Sequence, residues 1–170
     1  MNLNDYIRDI KDFPKPGILF KDITPLLKSP EAFNETLKQM EDKLSGVDFD
    51  YIIGVEARGF MFATALAARM GKGMIPVRKP GKLPAETYRK DYDLEYGSAG
   101  LEIHKDAFNE GDKLVIVDDI LATGGTVEAV VHMVKEMGGK VEKVLFLAEL
   151  DFLNGRSKLE GERVDALIKY

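Results

Sequence analysis

The chain has 170 residues, enough for one domain with a buried core, and its apolar and charged fractions are those of an ordinary globular protein. No apolar run approaches the roughly 20 residues of a membrane helix, the N-terminal Met1-Asn2-Leu3-Asn4-Asp5 lacks the basic-then-apolar pattern of a secretory signal, and the absence of cysteine excludes disulfides and thiolate metal sites and fits a reducing, cytoplasmic setting. A net charge of −5 argues against a nucleic-acid-binding protein, which needs a basic stripe, but leaves room for a local basic spot able to hold a small polyphosphate.

Leu3, Ile7 and Ile10 share one helical face and predict a helix over 3–10. The prolines of Asp12-Phe13-Pro14-Lys15-Pro16-Gly17 force turn or extended chain. Ile18-Leu19-Phe20 is a short apolar run, and Thr24-Pro25 and Ser29-Pro30 each read as an N-cap followed by proline at the first helical position. Phe33, Leu37, Met40 and Leu44 mark the buried face of a helix that Gly46 ends. Tyr51-Ile52-Ile53-Gly54-Val55 is apolar throughout, as a strand buried on both faces should be. Phe60 to Met70 predicts a helix closed by Gly71, and Met74 to Val77 a second strand. The polar stretch from Lys79 to Asp91 predicts a mobile loop, with Tyr92–Tyr96 and Leu101–His104 as an antiparallel pair beside it. Leu114 to Val117 is the clearest buried strand, Thr126 to Met137 a helix closed by Gly138-Gly139, and Val144 to Ala148 a further strand. Alternating strands and helices with doubly buried strands predict an α/β fold with a mainly parallel twisted sheet flanked by helices. In such sheets ligands sit beyond the carboxyl ends of the strands.

At one of those ends stands Asp118-Asp119-Ile120-Leu121-Ala122-Thr123-Gly124-Gly125-Thr126, followed by a helix. A helix N-terminus offers unpaired N–H groups and a partial positive charge to a phosphate. Gly124 and Gly125 let backbone amides approach an anion with no Cβ in the way, and Thr123 and Thr126 add hydroxyl donors. Asp118 and Asp119 suit the hydroxyls of a sugar, or a Mg²⁺ between sugar and pyrophosphate. Together these describe a ribose 5-phosphate site. The string is neither a Walker A loop nor a Gly-x-Gly-x-x-Gly fingerprint. His104 and His132 have no Ser, Cys or metal-ligand partner at useful spacing and are expected to be structural.

Val115 to Thr126 resembles the PRPP-binding motif (PRPP, phosphoribosyl pyrophosphate) of the type I phosphoribosyltransferases. Four further segments, in the same order along the chain, resemble the adenine-specific branch of that family: Phe13 to Leu27, Glu56-Ala57-Arg58-Gly59-Phe60, Val77 to Pro84, and Leu94-Glu95-Tyr96-Gly97. The likeness spans nearly the whole chain. It implies one phosphoribosyltransferase domain over 1–170, with a small N-terminal hood at about 1–30 and a flexible loop at about 80–97. It implies transfer of the 5-phosphoribosyl group from PRPP to N9 of adenine in purine salvage, giving AMP and pyrophosphate, by a homodimer that uses Mg²⁺.

By the same resemblance, Asp118, Asp119, Ala122, Thr123, Gly124, Gly125 and Thr126 take the 5-phosphate and ribose, and Glu56, Ala57, Arg58, Arg78, Lys79 and Lys82 take pyrophosphate. Part of the Arg78–Lys82 cluster is implied to reach a neighbouring subunit's site. Leu19, Phe20 and Lys21 form the adenine site; many relatives carry Arg at position 21, where Lys lacks the planar bidentate fork, so contact there runs through the main chain or differs from theirs. Glu95, with Arg58, is the implied catalytic group, as an acid/base near N7 of the base. Mg²⁺ is carried by PRPP near Asp118 and Asp119, with no direct protein ligand expected. Another purine specificity, a PRPP-sensing regulator and a PRPP synthetase fragment are the competing assignments. The hood and Leu94–Gly97 segments favour adenine, the retained Glu95 and basic cluster favour an enzyme, and the length and lack of an ATP site disfavour the fragment.

Overall fold

The structure, a computed structural model, describes residues 1–93 and 97–170. Its centre is a five-stranded sheet made of β3 (Tyr51–Val55), β4 (Gly73–Val77), β7 (Lys113–Leu121), β8 (Lys140–Glu149) and β9 (Val164–Lys169). The spatial order is β4-β3-β7-β8-β9, with every neighbouring pair parallel. The strands alternate their side chains between two cores. Ile52, Val115, Val117, Leu145 and Leu147 enter one, and Ile53, Leu114, Ile116, Val144 and Phe146 the other. Period-two alternation with apolar residues in both registers is why these strands read as unbroken apolar runs.

The first core is closed by α1 (Thr24–Lys28), α2 (Pro30–Leu44) and α3 (Gly59–Met70) through Leu26, Leu37, Met40, Leu44, Phe62, Ala63 and Leu66. The second is closed by α4 (Gly125–Glu136) through Val127, Val130, Met133 and Val134, and by β6 (Ser98–His104) through Leu101 and Ile103. This is the expected parallel α/β architecture. The Ser29 side chain accepts from the Ala32 amide at 3.2 Å and Pro30 opens α2, as the sequence predicts. At α1 the cap comes two residues earlier than Thr24: Asp22 Oδ1 accepts from both the amide and the hydroxyl of Thr24, at 2.9 and 2.8 Å. Gly71 closes α3 in the left-handed conformation, φ 65°.

Three segments depart from the sequence reading. The helix expected over 3–10 is a single 3-10 turn at Leu3–Tyr6 followed by β1 (Arg8–Lys11), which pairs antiparallel with β2 (Leu19–Asp22). Here cross-strand ion pairs outweigh a weak helical spacing. Arg8 faces Asp22 and Asp9 faces Lys21, with contacts of 2.6 and 2.7 Å. This hairpin is the small N-terminal hood. Second, β5 (Thr87–Asp93) begins well inside the segment expected to be loop, and pairs with β6 from Thr87↔His104 to Asp93↔Ser98. Of the expected Tyr92–Tyr96 strand, only Tyr92 and Asp93 fall in the described residues. Third, β7 runs four residues past Val117, so Asp118 and Asp119 lie in the strand itself. His104 Nε2 accepts from the Ala85 amide at 3.2 Å, a structural use of that ring.

Candidate active site

The order of the sheet determines where a ligand fits. The chain leaves β3 for β4 on one side and then returns to β7 on the other, so the connections after β3 and β7 diverge and leave a crevice at their carboxyl ends. A pocket of about 330 Å³ occupies it. Glu56, Ala57 and Arg58 line it from the loop after β3, and Asp118 to Val127 line it from the end of β7 and its turn into α4. Glu56, Ala57, Arg58, Asp118, Asp119, Ala122, Thr123, Gly124, Gly125 and Thr126 are thus brought into one cavity.

The turn is shaped for an anion. Gly124 has φ 89° and precedes Gly125, the first residue of α4, so the opening amides of a twelve-residue helix face the pocket. A Cβ on Gly124 would lie 2.5 Å from the carbonyl oxygen of Gly155, so glycine is required here both by conformation and by space. Gly155, on the segment between β8 and β9, is buried and wedges beneath the turn against Ala122 and Leu121. No local sequence signal marks that support, because Gly155 lies far beyond the end of the motif at Thr126.

On the opposite side stand the acids. Arg58 Nε is 2.7 Å from Asp119 Oδ2, yet the N–H does not point at that oxygen. The contact is therefore a charge pair that leaves a buried carboxylate oxygen without a hydrogen bond. Asp118 Oδ1 accepts from the Asp119 amide at 2.8 Å. Burial, reinforced by the Asp119 carboxylate, pushes the Asp118 carboxyl well above its ordinary range. Close approach of α3 brings the two loops together: a Cβ on Gly59 would lie 2.8 Å from Asp118 Oδ1.

Arg78, Lys79, Lys82, Leu19, Phe20 and Lys21 lie around this pocket without lining it, and the first two hold the lining residue Glu56. Glu56 is clamped by two donors, Arg78 Nη2 at 3.0 Å and the Lys79 amide at 2.6 Å. Burial raises its pKa, but these donors more than offset that and hold it below the usual carboxylate range. Arg78 is thereby committed to shaping the loop. Lys79 and Lys82 are exposed. Phe20 presents its ring to the Arg58 guanidinium, 4.9 Å from centroid to carbon, with Phe13 edge-on at 5.0 Å. It is half-buried and serves as the hood's link to the pocket wall. Leu19 is exposed. The Lys21 side chain is buried and turned away, donating to Asp9 at 2.7 Å and lying 3.7 Å over the Tyr170 ring. Glu95 lies outside the described residues. Tyr92, which the sequence did not mark as a site residue, places its hydroxyl 3.2 Å from Thr126 Oγ1 and so ties β5 to the turn.

The model of the phosphoribosyl transferase domain matches residues 22–160. An adenine phosphoribosyltransferase of Kosmotoga olearia is 52% identical over 170 residues, all of both chains. One from a Thermoanaerobacter species is 56% identical over 164 residues, 96% of this chain and 95% of its own. Among solved structures, the adenine phosphoribosyltransferase of Thermoanaerobacter pseudethanolicus superposes with a TM-score of 0.97 at 54% identity, covering 99% of this chain and 100% of its own. That of Saccharomyces cerevisiae, complexed with an imino-altritol bisphosphate and adenine, superposes with a TM-score of 0.91 at 41% identity, covering 97% and 96%. The chain belongs to the phosphoribosyl transferase family, and within it to the adenine phosphoribosyltransferases.

Proposed function

We propose that this chain transfers the 5-phosphoribosyl group of PRPP to N9 of adenine, releasing pyrophosphate and forming AMP. The observation that carries this is the single crevice in which a glycine turn opening a helix faces two adjacent carboxylates and an arginine. Relatives bearing that activity as their name match the chain end to end.

In this reading the amides of Thr123 to Thr126 and the two threonine hydroxyls hold the 5-phosphate, with Ala122 shaping the turn. Asp118 and Asp119 accept from the ribose hydroxyls. Arg58 and the backbone of Glu56–Ala57 receive pyrophosphate as it leaves, with Arg78 positioning that loop through Glu56. Lys79 and Lys82, exposed and outside their own pocket's lining, add charge there, and part of this cluster serves the site of a second subunit in a homodimer. Adenine lies under the hood against Phe20 and Leu19. Because the Lys21 side chain is engaged with Asp9 and Tyr170, only main-chain groups remain at that position to read the base edge, which removes the cost of lacking arginine.

Mg²⁺ fits this donor set. A magnesium ion carried by PRPP takes its ligands from substrate oxygens and water, so nearby carboxylates need only face it without ligating it directly. Asp118 and Asp119 stand together here, and Asp119 Oδ2 is buried with no hydrogen bond of its own. Carried by PRPP near Asp118 and Asp119, the ion would supply charge neutralisation for the departing pyrophosphate. The chain's own contribution is positioning and electrostatics. The anomeric carbon develops oxocarbenium character, and N9 attacks from the opposite face with inversion and without a covalent enzyme intermediate. Closure of the loop between Lys82 and Glu86, ahead of β5, would exclude water from this centre. Glu95 exchanges a proton with N7 of the base. Among the described residues no helix is long and apolar enough to cross a membrane.

The test is product formation. With PRPP, Mg²⁺ and adenine the wild-type chain should form AMP and pyrophosphate in equal amounts, and Glu95→Gln should lower turnover roughly 10²–10⁴-fold at saturation. Absence of AMP from the wild type would overturn the function. An unchanged rate for the variant would remove Glu95 from acid/base work.

A further inference from the structure

The phosphate end of the pocket is short of positive charge. A phosphomonoester carries about −1.5 to −2 at neutral pH, and a helix N-terminus offers roughly +0.5. Two carboxylates share the pocket, and its arginine, Arg58, is paired with one of them at 2.7 Å. No lysine is among the lining residues. A cation stands beside the turn on a segment the motif does not include.

The ammonium of Lys158 lies 3.6 Å from the position a Cβ on Gly125 would occupy, with the Tyr92 ring 3.9 Å from the same point. Gly125 is the first residue of α4, so this ammonium stands at the rim of the cradle. The turn that carries Lys158 is anchored on both sides. Gly155 is buried beneath Gly124 and Ala122, and Leu159 is buried in the second core. Between them Arg156 donates to both oxygens of Glu149, at 2.6 and 2.8 Å, and to the Val164 carbonyl at 2.8 Å. Arg156 is thus committed to the fold. Lys158 belongs to none of the ion pairs formed among the described residues, although its chain neighbours on both sides are held in place.

We propose that Lys158 is a binding residue for the 5-phosphate, reaching it across the glycine turn from the segment between β8 and β9. This rests on the function proposed above. The amides of the turn fix the orientation of the phosphate oxygens, and the lysine supplies the full charge those amides lack. The wedge at Gly155 then has two uses: it supports the turn from below and fixes the distance from which Lys158 reaches over it.

The experiment is calorimetric titration of the full chain with ribose 5-phosphate and, separately, with Mg²⁺-pyrophosphate, for wild type, Lys158→Gln and Lys158→Arg. Lys158 is exposed, so both variants should melt with the wild type. Lys158→Gln should bind ribose 5-phosphate about tenfold more weakly, as loss of one charge-assisted contact predicts. Its pyrophosphate affinity should be unchanged, and Lys158→Arg should recover most of the loss. Equal ribose 5-phosphate affinity in wild type and Lys158→Gln overturns the proposal, as does an equal loss for both ligands. A wild-type chain that binds neither ribose 5-phosphate nor PRPP overturns the proposed function and this inference with it.

Discussion

The Asp118 carboxyl stands in the pocket beside the Asp119 carboxylate, and burial together with that neighbour raises its pKa well above 3.8. The folded chain therefore keeps this proton at pH values where the unfolded chain has lost it. Stability falls as pH rises from the ordinary carboxylate value through the raised folded one. Asp118→Asn is neutral throughout and retains an oxygen to accept from the Asp119 amide. It should be more stable than wild type at pH 7, because it removes a charge that burial and the Asp119 carboxylate disfavour. The two proteins should converge in acid, and the variant should bind PRPP more weakly. Scanning calorimetry from pH 4 to 8 checks this, and a variant no more stable at neutral pH contradicts it.

The acids, glycines and threonines of this site were legible from the sequence because they are contiguous and sit where a buried strand becomes a helix. What the chain does with Lys21 was not legible. Its partners Asp9 and Tyr170 lie 12 and 149 residues away, and only the fold brings them together. The same holds for Lys158 and Tyr92, whose closeness to the glycine turn depends on two segments with no phosphate-binding pattern of their own.

Among the elements, the turn from β7 into α4 depends on the segment after β8. Gly124→Val would impose a left-handed backbone on a β-branched residue and drive its Cβ to 2.5 Å from the Gly155 oxygen. We expect a loss of at least ~2 kcal/mol in stability and no measurable binding of PRPP, since neither chain can yield without dismantling the cradle. Calorimetry on the variant, with circular dichroism to confirm a folded chain, decides it; wild-type affinity contradicts the account.

Element by element, the sequence was informative where one periodicity dominated. The strands β3, β4, β7 and β8 and the helices α2, α3 and α4 were all visible in apolar spacing and glycine stops. It misled at the N-terminus, where three apolar residues at helical spacing lost to two ion pairs with a partner strand, 14 and 12 residues apart in sequence. The complementary order Arg8-Asp9 against Lys21-Asp22 was the available signal for that hairpin. The strand β5 was hidden by its composition, since Thr87 to Asp93 alternates polar side chains on a partly covered face. No strand was expected at β9, where Val164-Asp165-Ala166-Leu167 places an acid among apolar residues; that acid is held by Lys143 at 2.7 Å and Lys43 at 4.0 Å.

For the whole molecule, the order β4-β3-β7-β8-β9 turns a linear motif into a binding site. It brings the loop after β3 against the end of β7, so that Arg58 faces the glycine turn that opens α4 across one pocket. The hood lies over the same opening through the Phe20–Arg58 contact, which limits what shape of acceptor can enter. Purine specificity is a property of this whole arrangement, so it is best measured on the intact chain. The most direct test is a panel of adenine, hypoxanthine, guanine and xanthine, each offered with PRPP and Mg²⁺ and followed by pyrophosphate release. Release with adenine, exceeding that with any 6-oxopurine, is the predicted result. Release with hypoxanthine or guanine but not with adenine, or with no base at all, would contradict the account.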